Sequence, residues 1–152
     1  MTQGHGDLSP ADAATLDRTR SAVMNVLVFV GLGIGLSGFV LGRKERGALL
    51  VQPPDIQTWS YGLLLSICLM SVITRRVLGA RDRLRDRQTR SRQFFLAHLV
   101  SAGIGALAVP LGFAYGWLIR PRIDGVGPFW VAALVLGVMA YPRAHELHDL
   151  DD

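Results

Sequence analysis

Between Arg20 and Arg143 the chain holds four stretches without a single Asp, Glu, Lys or Arg. They are Ser21–Gly42, Ile56–Thr74, Gln93–Ile119 and Gly125–Pro142, of 22, 19, 27 and 18 residues. A bilayer core about 30 Å thick is crossed by roughly 20 apolar residues of helix. Only internally hydrogen-bonded helices or closed barrels satisfy the backbone in lipid. The alternation of a barrel strand is absent, and the apolar runs are too long for one. The expected fold is an all-α membrane protein with four transmembrane helices, spanning about 21–42, 57–78, 93–119 and 126–142.

Little is left over outside those spans. Half of the 152 residues are hydrophobic, and none of the polar segments is large enough for a soluble core. Residues 1–20 read as a cytoplasmic segment ending in a short juxtamembrane helix, and residues 143–152 as an acidic cytoplasmic tail. The start has no basic region followed at once by an apolar core, so the first span is expected to act as its own insertion signal. The single Cys68 lies inside the second stretch. It has no partner for an intrachain disulfide or a paired-thiol redox site, and is read as a buried structural thiol.

Charge near the helix ends gives an orientation. The connection Arg75–Arg92 carries eight arginines: Arg75, Arg76, Arg81, Arg83, Arg85, Arg87, Arg90 and Arg92. Cytoplasmic loops accumulate Lys and Arg, so this connection and both termini are expected inside. Eleven basic residues then lie inside and five outside, with Arg43, Lys44 and Arg46 dissenting. Trp59, Trp117 and Trp130 all fall at the outer interface in this arrangement, where amphipathic rings prefer to sit. Phe94, Phe95 and Tyr141 mark the inner one. The expected location is the bacterial cytoplasmic (inner) membrane, multi-pass.

Helix ends and interruptions are also legible. Ser9-Pro10-Ala11-Asp12 resembles a capped start. Asp55, after two prolines, is the expected N-cap of the second span. Pro110 is expected to kink the third.

Membrane helices gain little hydrophobic energy against each other, so small residues that admit a close neighbour decide their interfaces. Gly31, Gly35, Gly38 and Gly42 recur along one face of the first span. His98, Ala102, Gly105, Val109, Gly112 and Gly116 do the same on the third, and Ala133, Gly137 and Ala140 on the fourth. These stripes are read as faces for other helices, in this chain or in a partner.

His98 is the only Asp, Glu, Lys, Arg or His in any of the four stretches. An intramembrane ionisable residue is a functional candidate by default. Asn25, Ser71, Thr74 and Tyr141 are expected at a similar depth, so these five residues form the candidate ligand-binding cluster. A lipid, quinone or pigment is the class of ligand it would suit; the plain alternative is a histidine hydrogen-bonded to a neighbour. The eight arginines suit anionic lipid headgroups or an acidic partner. Nucleic acid is a poor partner for a segment without interleaved aromatics that lies against the membrane. His145 and His148 in the tail are too weak a pattern for a metal site.

No span carries a carboxylate for ion-coupled transport, and no phosphate loop, zinc-protease or serine-hydrolase motif is present. No catalytic residue is assigned. The favoured function is a non-catalytic integral membrane subunit that packs through Gly-rich faces into a larger bacterial assembly: energy-transducing, light-harvesting or transport. The alternatives are a small oligomeric channel or transporter, and a lipid- or quinone-handling enzyme centred on His98.

Overall fold

The computed structural model describes residues 10–43, 54–80, 87–119 and 122–143. Of these, 94% are helical and none is in a strand. The helices are α1 (Pro10–Arg43), α2 (Pro54–Ala80), α3 (Arg87–Ala106), α4 (Ala108–Leu118) and α5 (Ile123–Met139). Among the described residues, three segments are long and apolar enough to cross a membrane: Pro10–Arg43, Asp55–Leu78 and Ser91–Leu118, the last combining α3 and α4. The helix Asp124–Met139 is apolar but shorter.

Helix boundaries follow local chemistry. α1 starts at Pro10, whose missing N–H costs nothing in a first turn, and runs without a break through the juxtamembrane stretch into the apolar one. Ser9, the expected cap, lies outside the described residues. α2 starts at Pro54, so Asp55 sits inside the first turn instead of capping it; its charge still favours the positive end of the helix dipole. α5 starts at Ile123, earlier than the expected 126, because Arg122 is extended and its carbonyl takes both the Gly125 and Val126 N–H groups. Gly125, Gly127 and Pro128 are all accommodated within that helix.

The long third stretch is interrupted at Leu107. Pro110 has no N–H to offer the carbonyl four residues before it, that of Ala106. Leu107 N–H turns to Ile104 O at 3.1 Å, and the ladder resumes from Leu111 N–H to Leu107 O at 3.3 Å. The break therefore falls one turn before the proline.

α3 is the centre of the bundle and packs against α2, α1 and α5. In its apolar window 44% of residues are buried, against 17% and 11% for the spans of α1 and α2. The core is layered along the bundle. Leu41, Tyr115, Ile119, Val126 and Phe129 fill the end that carries the tryptophans. Tyr61, Tyr115 and Phe129 meet there with ring centroids 5.3–5.9 Å apart. Val30, Ala108, Val109 and Ala133 fill the middle, and Val23, Ala102 and Ala140 the arginine end.

Glycines set the spacing of the central contacts. A Cβ on Gly105 would lie 2.8 Å from Leu136 Cβ, and one on Gly112 would lie 2.7 Å from Phe129 Cβ. One on Gly116 would meet Leu41 at 2.6 Å and Val126 at 2.8 Å. The stripe His98, Ala102, Gly105, Val109, Gly112, Gly116 is buried along its whole length.

The glycines of α1 behave differently. Gly31, Gly35 and Gly42 have nothing from the rest of the chain within 4 Å of an added Cβ, and of that stripe only Gly38 approaches a neighbour, Trp130 at 3.5 Å; Gly33, off the stripe, would meet Val109 at 3.1 Å. α1 instead buries Leu16, Thr19, Val23, Val30, Ser37 and Leu41. At 3.6 residues per turn that face lies roughly 100° around the helix from the glycine stripe. Within this chain, therefore, Gly31, Gly35 and Gly42 are not packing positions, which corrects the intrachain half of the expectation from their spacing.

Gly112→Ala should lower stability by about 1–3 kcal/mol, since the clash is with a Cβ held close to its backbone and not with a flexible tip. Gly103→Ala, where an added Cβ meets nothing within 4 Å, is the control. Equal melting temperatures in detergent for the two variants would refute this account of the packing.

Candidate functional site

Polar chemistry gathers at the end of the bundle opposite the tryptophans, where α2 ends and α3 begins. His98 lies about 9 Å along the α3 axis from Arg92 and is buried, 4% exposed. Its Nδ1 is 2.9 Å from the carbonyl oxygen of Phe94. A carbonyl can only accept, so the ring proton belongs on Nδ1. The ring is also 4.3 Å from that of Phe94. One turn of its own helix thus supplies a polar partner and an aromatic contact, and Nδ1 is occupied.

Beside it, Ser71 of α2 and Ser101 of α3 form a buried reciprocal pair. Ser71 Oγ donates to Ser101 O at 3.0 Å, Ser101 Oγ donates to Ser71 O at 3.0 Å, and the two hydroxyl oxygens are 2.9 Å apart. Each hydroxyl has one proton, so both protons are taken up between the helices.

One turn further, the guanidinium of Arg75 donates to the carbonyl of Met139. Met139 is the last residue of α5, and its carbonyl has no acceptor role left within that helix. A cation at a helix C-terminus is also favoured by the dipole. Arg75 therefore fastens the end of α5 to α2.

These groups border a half-open cleft of about 420 Å³ lined by Ser71, Val72, Arg75, Arg76, Ser101, Leu136 and Met139. A second cleft of about 430 Å³ lies between α1 and α3, lined by Thr15, Arg18, Ser91, Arg92, Phe95 and Leu96. In it the Arg18 guanidinium lies 5.5 Å from the Phe95 ring centroid. Arg20 similarly lies 6.0 Å from the ring of Tyr141. Among the described residues, Arg20 Nε and Trp130 Nε1 are buried side-chain atoms without a hydrogen-bond acceptor.

The five residues expected to cluster do not form one site. His98 and Ser71 are both buried, and Ser71 is committed to Ser101. Thr74 and Tyr141 are half-buried, Tyr141 packing on Val23, Ala102 and Ala140. Asn25 is exposed, because the α1 face that turns inward is that of Val23 and Val30; it does not join the others. Of the eight arginines, Arg75 and Arg76 line the first cleft and Arg92 the second. Arg87 and Arg90 fall at the start of α3. Arg81, Arg83, Arg85 and the tail with His145 and His148 lie outside the described residues.

Ser101 and Arg18 were not singled out from the sequence. Ser101 stands three residues after His98, on the same helix face as the small-residue stripe, and that spacing was available as a signal. Arg18 gave none, since its cleft forms only when α1 meets α3. No family model matches the chain, and neither a curated protein nor a solved structure matches it.

A double-mutant cycle on Ser71→Ala and Ser101→Ala should return a coupling of about 0.6–1.7 kcal/mol, the range for hydrogen bonds between membrane helices. Additive losses would mean that the pair does not join the helices.

Proposed function

We propose that the protein is a non-catalytic subunit of a larger membrane assembly, a four-span protein of the bacterial cytoplasmic membrane. Both termini and the Arg75–Arg92 connection face the cytoplasm. The assembly is of the energy-transducing, light-harvesting or transport kind, with other membrane subunits as partners.

The observation that carries the partner reading is the uncovered face of α1. Gly33, Gly105, Gly112, Gly116 and Gly137 all face side chains of this chain closer than ordinary contact, whereas Gly31, Gly35 and Gly42 face open space. Glycine is unfavourable in a helix interior by about 1 kcal/mol relative to Ala, and three on one unoccupied face gain nothing inside the chain. A second helix lying on that face would use them, since small residues let helix backbones approach closely in lipid.

The four-span reading counts α5, whose 17 residues extend roughly 26 Å, just under the hydrocarbon thickness. Orientation is supported by the eleven-to-five bias of basic residues and by the tryptophans, which cap one end.

Three measurements test this. Gly35→Leu should leave the isolated chain's melting unchanged but weaken its native assembly, read by mild-detergent purification and mass spectrometry; an unaltered complex would make the face lipid-exposed. After replacement of Cys68, cysteines at Gln52 and Asp124 should label from outside sealed cells, and one at Gln88 should not. Labelling at Gln88 would reverse the orientation. His98→Gln should leave the visible-range absorption spectrum of the purified protein unchanged; loss of an absorbing group would make His98 a cofactor ligand.

A further inference from the structure

We propose that the cleft between α2, α3 and α5 is a binding site for a phospholipid with an anionic headgroup, the phosphate resting on Arg75 and Arg76 and an acyl chain lying along Val72, Leu136 and Met139. This rests on the membrane placement of the helices and not on the partner reading above.

The cleft combines two kinds of surface that such a lipid needs together. At its polar end are two guanidinium groups. Arg75 is held in place by the carbonyl of Met139, so its charge is fixed at the rim without further ordering cost. Arg76, next to it, is exposed. Among the described residues, no carboxylate lines the cleft. Ser71 and Ser101 form the floor, but both their protons are used between themselves. The floor therefore offers an anion no donor, and recognition falls to the arginines. The remaining lining is apolar: Val72, Leu136 and Met139, with Val72 and Met139 exposed.

A volume of about 420 Å³ is that of a small-ligand pocket, and its open side lets a chain leave along the helices. A free phosphate would use the arginines and leave the apolar walls wet. A zwitterionic headgroup would bring its own cation against two guanidinium groups. Only an amphiphile with a net negative head matches both halves.

The same make-up recurs independently across α3. The second cleft pairs Arg18 and Arg92 with the hydroxyl residues Thr15 and Ser91 over an apolar floor of Phe95 and Leu96. It is similar in size and at the same end of the bundle. α3 is thus flanked by two sites of one chemistry, as expected for lipids of a single charged leaflet.

The test is native mass spectrometry of the purified full-length protein in detergent, titrated with phosphatidylglycerol, phosphatidylcholine or inorganic phosphate. Phosphatidylglycerol adducts should dominate and survive millimolar phosphate. Arg76→Gln and Arg92→Gln, at exposed positions outside the core, should each weaken phosphatidylglycerol binding about fivefold, and the double variant more. Melting in lipid-free detergent should match the parent, showing that the fold is intact. Equal binding of phosphatidylcholine would overturn the proposal, as would unaltered binding by the double variant. Displacement by phosphate would do so too, since the site would then belong to a free anion.

Discussion

Everything in this bundle depends on how closely the α3–α4 rod approaches α5 and α1. In lipid, apolar side chains gain almost nothing by exchanging hydrocarbon for protein, so dispersion contacts at short range hold the helices. Gly105, Gly112 and Gly116 supply that range by leaving room for Leu136, Phe129, Leu41 and Val126. Gly137 of α5 does the same for Leu27 of α1. The packing of Tyr115 of α4 against Phe129 of α5, ring centroids 5.3 Å apart, is possible only because those backbones are already this near.

Polar groups within the apolar helices are handled locally. Thr19 donates to Thr15 O, Ser60 to Ile56 O and Ser66 to Gly62 O, each one turn back on its own helix. His98 does likewise through Phe94. Such back-bonding satisfies a donor without requiring a neighbour, which frees the interhelical surfaces for packing. Two links that do cross between helices, Ser71 with Ser101 and Arg75 with Met139, lie towards the arginine end and tie α2 to α3 and α5.

What the sequence made legible is what depends on composition and on period. Helical class and the long spans follow from charge-free runs, and the inward face of α3–α4 follows from small residues every three or four positions. The interruption near Pro110 follows from a missing N–H. The phase of α1 was not legible, because two stripes compete on that helix. The glycines 31, 35, 38 and 42 are conspicuous, yet Leu16, Val23, Val30 and Ser37, spaced by seven, turn inward. Periodicity identifies a face but not which neighbour it meets. The same ambiguity misplaced Asn25. The two clefts were beyond reach for a different reason: each draws residues from helices far apart in sequence.

The bundle is uneven in height. α1 runs for 34 residues and α5 for 17, roughly 51 Å against 26 Å. On the four-span reading proposed above, the exposed wall formed by Val131, Leu134, Val135 and Val138 is a short one, and a bilayer resting against it would have to thin by a few ångströms to keep its apolar surface covered. Deformation of that kind costs fractions of a kcal/mol per ångström. The charge-free part of α1, Ser21–Gly42, covers roughly 33 Å, so a molecule inserted in that way would gather shorter-tailed lipids along α5 than along α1 and would be tilted before any other protein touched it.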